Sequence, residues 1–127
     1  MSSMQPAPTL AIRESRVRRY YDLVDSGDVT ALVNLFADDA VYHRPGYPPL
    51  TGRTELERFY RADRIIREGR HSLSALVGSA TEIAVHGEFH GVLRNGQNVS
   101  LRFADFFSFT DEGTFARRDT FFFAPMV

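Results

Sequence analysis

The sequence contains no cysteine and no lysine. The absence of cysteine excludes disulfide bonds, thiolate nucleophiles and cysteine-ligated metal sites. All 15 basic residues are arginines, which excludes Schiff-base chemistry on lysine, pyridoxal phosphate anchoring and a Walker lysine. The net charge of −1 leaves no basic excess for a sequence-independent grip on nucleic acid. We therefore expect no nucleic-acid partner.

Long hydrophobic runs are also missing. The longest apolar stretch, Phe121 to Val127, contains a proline and is far shorter than the ~20 residues that span a bilayer. Residues 1–8 carry no apolar run, so we expect a flexible leader, no secretory signal, no membrane partner and a cytoplasmic location. The 127 residues are 43% hydrophobic, which predicts one compact domain over residues 9–127.

Apolar periodicity predicts three helices followed by a sheet. The helices are expected over residues 9–26, 28–36 and 53–67, with a short strand at 41–44 before the third. From His71 onward the period changes to two, which predicts strands at about 71–77, 81–93, 99–110 and 114–123. Asn95-Gly96 is a hairpin signal, so the strands that it joins are antiparallel. This order of elements predicts an α+β fold.

Asp105 is the most unusual polar residue in the predicted sheet. It shares a strand face with five large apolar residues, which are Val99, Leu101, Phe103, Phe107 and Phe109. Burial disfavours a charged carboxylate, so without a nearby cation Asp105 would be a neutral hydrogen-bond donor. The alternatives are a carboxylate paired with an arginine, or a bulge that turns the side chain to solvent.

Other polar residues have simpler interpretations. Asp119 lies on one predicted strand face with Arg117, and an exposed ion pair between them is the preferred interpretation. Tyr20 lies on the apolar stripe of the first helix, where most tyrosines are core residues with one satisfied hydroxyl. His86 and His90 would stand ~13 Å apart along a strand, too far to bind one metal ion, so no metal site is predicted.

Four stretches of the chain resemble the nuclear transport factor 2-like superfamily, and within it the branch of ketosteroid isomerases and SnoaL-like polyketide cyclases. They are Arg19-Tyr20 through Ser26-Gly27-Asp28, Leu35 through Val41, Gly52 through Phe59-Tyr60, and Ala104-Asp105-Phe106-Phe107 leading to Gly113. The resemblance implies a cone, in which a curved, mainly antiparallel sheet wrapped by three N-terminal helices encloses an apolar pocket. It also implies a homodimer.

In ketosteroid isomerases, a tyrosine of the first helix and a protonated strand aspartate form the oxyanion hole. Tyr20 and Asp105 match these positions, and Tyr60 matches a tyrosine that bonds to the first one. The general base of those enzymes is an aspartate directly before a proline, whereas here Arg44 precedes Pro45. Because arginine does not deprotonate, we expect no true steroid isomerase. Arg44 would instead offer a cation to a ligand oxygen or to Asp105.

Two other branches of the superfamily use aspartates differently. SnoaL-like cyclases use a strand aspartate as the base of an aldol closure, so Asp105 would be that base if Arg44 kept it ionised. Limonene-epoxide-hydrolase-like members hold a water between two aspartates and an arginine, which Asp105 and Asp119 resemble. The arginine of that group is replaced by Phe103 here, so Arg44 or Arg117 would have to substitute for it.

The leading hypothesis is a cofactor-independent and metal-independent enzyme that acts by proton transfer or enolate stabilisation on a hydrophobic, oxygen-bearing small molecule. Asp105, Tyr20 and Arg44 are the predicted catalytic residues. The predicted substrate-binding residues are Tyr42, His43, Tyr60, Phe103 and Asp119. A non-catalytic ligand-binding or interaction module of the same fold ranks second, and an epoxide hydrolase third. The homodimer is expected through the outer sheet face, which is predicted to carry Arg102, Ala104, Phe106 and Phe122.

Overall fold

The computed structural model describes residues 8–124. Its helices are α1 (Leu10–Ser26), α2 (Val29–Val33) and α3 (Gly52–Arg58), and α3 continues into a π-helical turn, Phe59–Asp63. Its strands are β1 (Phe36–His43), β2 (Leu50–Thr51), β3 (Ile66–Gly78), β4 (Glu82–Leu93), β5 (Asn98–Phe109) and β6 (Phe115–Phe122). The predicted α+β class with three helices is confirmed.

The first helix has a capping residue at each end. The Thr9 hydroxyl accepts a hydrogen bond from the Ile12 amide at the start of α1. Gly27 ends the helix with a φ of 77°, a left-handed conformation in which glycine has no steric penalty. Asp28 then accepts from the Ala31 amide and begins α2. Along α1 the buried residues are Val17, Tyr20, Tyr21, Leu23 and Val24, so one stripe of the helix packs into the core.

The six strands form one mixed sheet in the order β2-β1-β6-β5-β4-β3. Every neighbouring pair is antiparallel except β1 and β6, which are parallel. We call the side that packs against the helices the inner face and the opposite side the outer face. In β4 and β5 the inner residues are buried, among them Val85, Phe89, Phe103 and Phe107.

The third helix ends earlier than the sequence predicts. Its periodicity favours a helix to residue 67, but the helical backbone stops at Asp63 and Arg64 is already extended. Ile66 instead pairs with Leu93, so β3 begins five residues before the expected start at His71. Pairing with the long strand β4 therefore overrides the helical propensity of this arginine-rich segment. The second helix likewise ends at Val33, and Phe36 already belongs to β1 rather than to the helix.

The last strand departs from regular alternation because β6 contains a bulge. Ser108 pairs with Arg117, whereas the next residue, Phe109, pairs with Phe115. A one-residue slip exchanges the two faces of a strand. Beyond the bulge, Arg118 and Thr120 are buried on the inner face, and Arg117 and Asp119 lie on the outer face. This reversal brings an arginine next to Asp105.

Glycines leave space for an aromatic ring on the inner face. A Cβ atom at Gly69 or Gly91 would overlap the ring of Phe89, which lies between them. The ring is 3% exposed and forms part of the wall of the cavity described below. Within residues 8–124, no helix has both the length and the apolar content that a membrane crossing requires.

Candidate functional site

A cavity of about 330 Å³ lies between the inner face of the sheet and the segment around α3. Most of its wall is apolar, with contributions from Phe59, Ile66, Phe89, Leu101 and Phe103. Polar groups enter the wall at a few positions, which are Tyr42, Arg44, Tyr60, Asp63, Arg64, His71, Arg118 and Thr120. A largely apolar cavity with a few polar side chains is typical of a site for a small hydrophobic molecule.

Arg118 is the buried cation of this cavity. One guanidinium nitrogen donates to Asp105 at 2.9 Å, and the other donates to the hydroxyls of Tyr20 at 2.5 Å and Tyr60 at 3.2 Å. The guanidinium also stacks between two rings, with its carbon 4.8 Å from the centroid of Tyr20 and 4.5 Å from that of Tyr42. Burial is the largest single influence and acts to lower the pKa of Arg118, but the Asp105 carboxylate and the neighbouring tyrosines together outweigh it and hold that pKa well above its ordinary value.

Asp105 is fully buried, as its apolar strand face predicts, and it accepts three hydrogen bonds. The donors are the hydroxyls of Tyr21 and Thr120 and the guanidinium of Arg118. Within the described residues Asp105 makes no direct hydrogen bond to Tyr20 or Arg44, because the β6 bulge supplies Arg118 as its cation instead. Asp105 has no exposed surface and does not line the cavity. It acts from behind the wall, by holding Arg118 and Thr120, which do line the cavity.

Tyr20 and Tyr60 exchange the roles that the sequence predicts for them, because Tyr60 rather than Tyr20 faces the cavity. Their hydroxyls are hydrogen-bonded, as predicted, but Tyr20 is 1% exposed and only Tyr60 lines the cavity. Each tyrosine oxygen accepts from Arg118. Among residues 8–124 the Tyr20 hydroxyl has no other acceptor within reach, so its proton points to Tyr60. The proton of Tyr60 is then free for a group in the cavity.

Burial keeps three neighbouring tyrosines protonated far into the alkaline range. It raises the pKa of Tyr42 to about 12, although the Arg118 charge acts in the opposite direction. It also raises the pKa values of Tyr20 and Tyr21 well above the ordinary value, against the same charge. For Tyr21 the Asp105 carboxylate adds to the effect of burial. Of these three neutral phenols, Tyr42 lines the cavity, whereas Tyr20 and Tyr21 do not.

His71 and Asp25 form a second polar pair at the cavity. The Asp25 carboxylate accepts from the His71 backbone amide at 2.8 Å and lies 2.6 Å from the imidazole Nδ1. The His71 side chain is 10% exposed and lines the cavity. Its ring packs against Tyr21, Phe89 and Phe103, with centroids 5.1, 4.7 and 5.5 Å away. Asp25 belongs to α1, so the pair also ties that helix to β3.

Arg44 lies in the cavity wall beside α3. Its guanidinium carbon stands 4.5 Å from the Tyr47 ring centroid and 4.2 Å from that of Phe59. Its Nε is buried and has no hydrogen-bond partner. Within the described chain it forms no ion pair, so it does not supply the cation for Asp105 as the sequence suggests. Arg44 is therefore available as a cation for a ligand in the cavity.

His43 and Asp119 lie on the outer face, away from the cavity. They pair with each other at 2.8 Å, and Asp119 also accepts from Arg117 at 2.9 Å, so the predicted Arg117–Asp119 ion pair is confirmed. Burial acts to raise the pKa of Asp119, but Arg117 and His43 together lower it below its ordinary value. The predicted place of both residues in the cavity wall is wrong, because they alternate with the inward Tyr42 and Arg118 along their strands. The two acids of an epoxide-hydrolase arrangement are therefore not brought together.

Four of the residues that the sequence predicts for the site line the cavity, which are Tyr42, Arg44, Tyr60 and Phe103. Arg118 and His71 also line it but were not predicted. Arg118 carries no signal, since only the bulge turns it inward. His71 could have been recognised from the sequence, because it lies two residues before Leu73 and therefore on the same, inward face of β3. In the part of the chain from 8 to 124, no three His, Asp or Glu side chains converge as metal ligands.

Comparison with known proteins identifies the family and supports the fold. The family described as SnoaL-like domain matches residues 17–118. The fold is similar to that of SalBIII, an epoxide hydrolase/cyclase-like enzyme with a role in pyran ring formation in the polyether salinomycin. The TM-score is 0.79 at 22% identity, over 89% of this chain and 92% of that one. It is also similar to a nuclear transport factor 2-like protein of unknown function from Burkholderia pseudomallei, with a TM-score of 0.80 and 21% identity over 87% and 90% of the chains. The nuclear transport factor 2-like fold predicted from the sequence is confirmed.

Proposed function

Since the chain belongs to the SnoaL-like domain family, we propose that its cavity binds a hydrophobic, oxygen-bearing small molecule and acts on it by proton transfer with enolate stabilisation. One observation carries the proposal. The Tyr60 hydroxyl lines a mostly apolar cavity and is supported from behind by Tyr20 and the buried Arg118–Asp105 pair. Such a donor is suited to an oxygen on which negative charge develops.

The roles of the predicted catalytic residues change accordingly. Tyr60 donates to the ligand oxygen, and Tyr20 and Arg118 hold and polarise Tyr60 through the hydrogen bonds described above. Asp105 positions Arg118, Tyr21 and Thr120. Arg44 supplies a second cation in the cavity wall, stacked on Phe59 and Tyr47. The site requires no metal and no cofactor for this chemistry.

A non-catalytic ligand-binding protein is the second candidate function. The same apolar wall and the same Tyr60 donor would hold an oxygen-bearing molecule without turnover. Proton transfer to or from carbon is the chemistry that separates the two functions. An assay for that step is therefore more informative than an assay for binding alone.

The first test measures how much the Tyr60 hydroxyl contributes to the affinity for 2-naphthoate, a flat apolar molecule that carries a carboxylate. Tyr60→Phe removes the hydroxyl and keeps the ring, and a hydrogen bond to a charged group contributes about 1.5–3 kcal/mol. We expect the variant to bind the probe at least ~10-fold more weakly by fluorescence titration. Arg102→Met, on the outer face, is the control and should bind as the wild type does. Equal affinities for Tyr60→Phe and wild type would contradict the proposal.

We further propose that two copies associate through the outer face of β5 and β6. The predicted patch is corrected at one position, because Phe122 lies in the cavity wall and Phe121 takes its place outside. Phe106 and Phe121 are 42% and 56% exposed and pack edge to face, and Arg102 stacks on Phe123. Exposed aromatic groups with an arginine are typical of interfaces.

Light scattering tests this association. We expect a mass of twice the 14.4 kDa of the chain, and a shift toward one copy in the double variant Phe106→Ser/Phe121→Ser. Val77→Ser, on the edge strand β3, removes another exposed apolar residue and should leave the mass unchanged. A wild-type mass near 14.4 kDa at every concentration would contradict the association.

A further inference from the structure

The proposed chemistry requires a proton acceptor in the cavity wall, and most polar groups there cannot fill that role. Arg44 and Arg118 remain charged and have no lone pair to offer. Burial keeps Tyr42 protonated, with its pKa raised to about 12. Asp105 is fully buried and already accepts three hydrogen bonds. Two candidates are left in the described part of the wall, the exposed Asp63 and His71.

We infer that His71, oriented by Asp25, is the general base of the cavity and takes a proton from a carbon next to the ligand's carbonyl group. The inference rests on the proposed function and adds the residue that accepts the proton. Tyr60 holds the oxygen of the ligand, and His71 faces its acidic carbon. The substrate class is therefore an enolisable carbonyl compound with an apolar body.

The tautomer of His71 follows from its partner. A carboxylate only accepts hydrogen bonds, so the Nδ1 that lies 2.6 Å from Asp25 carries the hydrogen and Nε2 carries the lone pair. The second Asp25 oxygen is fixed by the His71 backbone amide at 2.8 Å, which prevents the carboxylate from turning away. Asp25 is thus a positioning residue that holds the imidazole in the tautomer with a free lone pair on Nε2.

The free edge of the imidazole is available to the cavity. No group of residues 8–124 lies within hydrogen-bonding distance of Nε2, and this atom is not among the buried polar atoms that lack a partner. Nε2 is therefore accessible, and the cavity is the space that His71 lines. A base whose second nitrogen is held by a carboxylate is the general arrangement for proton abstraction by histidine.

Few other charged groups can influence His71. From α1 it contacts the titratable residues Asp25 and Tyr21, and from β4 and β5 it contacts the apolar rings of Phe89 and Phe103. Tyr21 stays neutral because burial raises its pKa. The Asp25 carboxylate is then the one charge in direct contact within the described structure, and it stabilises the imidazolium that forms when the proton is transferred.

The probe reaction is the ring opening of 5-nitrobenzisoxazole, which needs a base and produces an oxyanion. His71 Nε2 takes the proton of the ring C–H group. The electron pair of that bond forms the nitrile, the N–O bond breaks, and the oxygen leaves as a coloured phenolate. Atoms and charge balance without another reactant. The phenolate oxygen is the group that Tyr60 would stabilise.

We expect His71→Gln to lower kcat/KM for this probe at least 100-fold, within the range that general bases contribute, about 10²–10⁴. Asp25→Asn should also lower kcat/KM, and the conservative variant Asp25→Glu should recover part of the rate. His90→Gln changes an exposed outer-face histidine bonded to Ser100 and should leave the rate unchanged.

The outcomes separate this inference from the proposed function. If wild type turns the probe over and His71→Gln does so equally fast, or if Asp63→Asn removes the activity instead, His71 is not the base. If 2-naphthoate binds through Tyr60 but the wild type does not open the ring of 5-nitrobenzisoxazole, the binding site stands and the assignment of His71 as the base fails. If the folded His71→Gln protein is less stable but equally active, the pair only ties α1 to β3. An NMR spectrum with the hydrogen of neutral His71 on Nε2 would also overturn the inference, whatever the activity.

Discussion

Replacing Arg118 with methionine is expected to lower the free energy of unfolding by about 3–5 kcal/mol. The variant leaves the Asp105 carboxylate, which has no exposed surface, without its cation. It also removes the donor that holds the hydroxyls of Tyr20 and Tyr60. A buried charge that loses its partner is more costly than a buried pair, because its own desolvation is no longer offset.

Urea unfolding at neutral pH measures this effect, and two variants control it. Arg117→Met removes the neighbouring arginine, whose ion pair with Asp119 is on the surface, and should have a much smaller effect. The double variant Arg118→Met/Asp105→Asn has no unpaired charge and should recover at least half of the lost stability. An Arg118→Met protein as stable as the wild type would mean that water reaches Asp105, and the buried pair would then not exist in solution.

The second large effect is a loss of stability at alkaline pH. In the unfolded chain tyrosines lose their protons near pH 10, whereas burial raises the pKa of Tyr42 to about 12 in the folded protein and those of Tyr20 and Tyr21 well above the ordinary value. Above pH 10 the unfolded state therefore binds fewer protons than the folded state, and stability falls as pH rises. Each of the three tyrosines contributes up to about 1.4 kcal/mol per pH unit.

The absence of lysine makes this effect easy to isolate, since no lysine titrates in the same range. Urea unfolding at steps between pH 8 and pH 11 should show a nearly flat region followed by a steep decline. Tyr42→Phe should reduce the slope of the decline by about one proton and leave the flat region flat. A stability that is independent of pH up to 11 would contradict the burial of these phenols.

Most of the fold could be predicted from local patterns. The caps at Thr9 and Gly27, the hairpin at Asn95-Gly96 and the alternation along β4 and β5 each depend on residues close in the chain. The end of the third helix could not be predicted, because the strand pairing of Ile66 with Leu93 decides it. That pairing joins residues far apart in the sequence, and no local propensity records it.

The site was harder to predict than the fold for the same reason. Asp105 could be recognised because it interrupts a regular apolar face, and its burial is confirmed. Its cation could not, because the β6 bulge turns Arg118 inward in place of Arg117. The contact between Asp25 and His71 joins a helix to a strand 46 residues later, so only the folded chain places the two together. The resemblance in sequence predicted the cavity and part of its polar wall, but not the inward positions of Arg118 and His71.

The proposed function requires that the cavity holds an apolar molecule with its oxygen on Tyr60. The most direct measurement is a crystal structure of the protein with 2-naphthoate. We expect the rings of the probe between Phe59, Phe89 and Phe103, and its carboxylate within hydrogen-bonding distance of the Tyr60 hydroxyl. A cavity closed by its own side chains, or a probe whose carboxylate lies away from Tyr60 and Arg118, would contradict the proposed function.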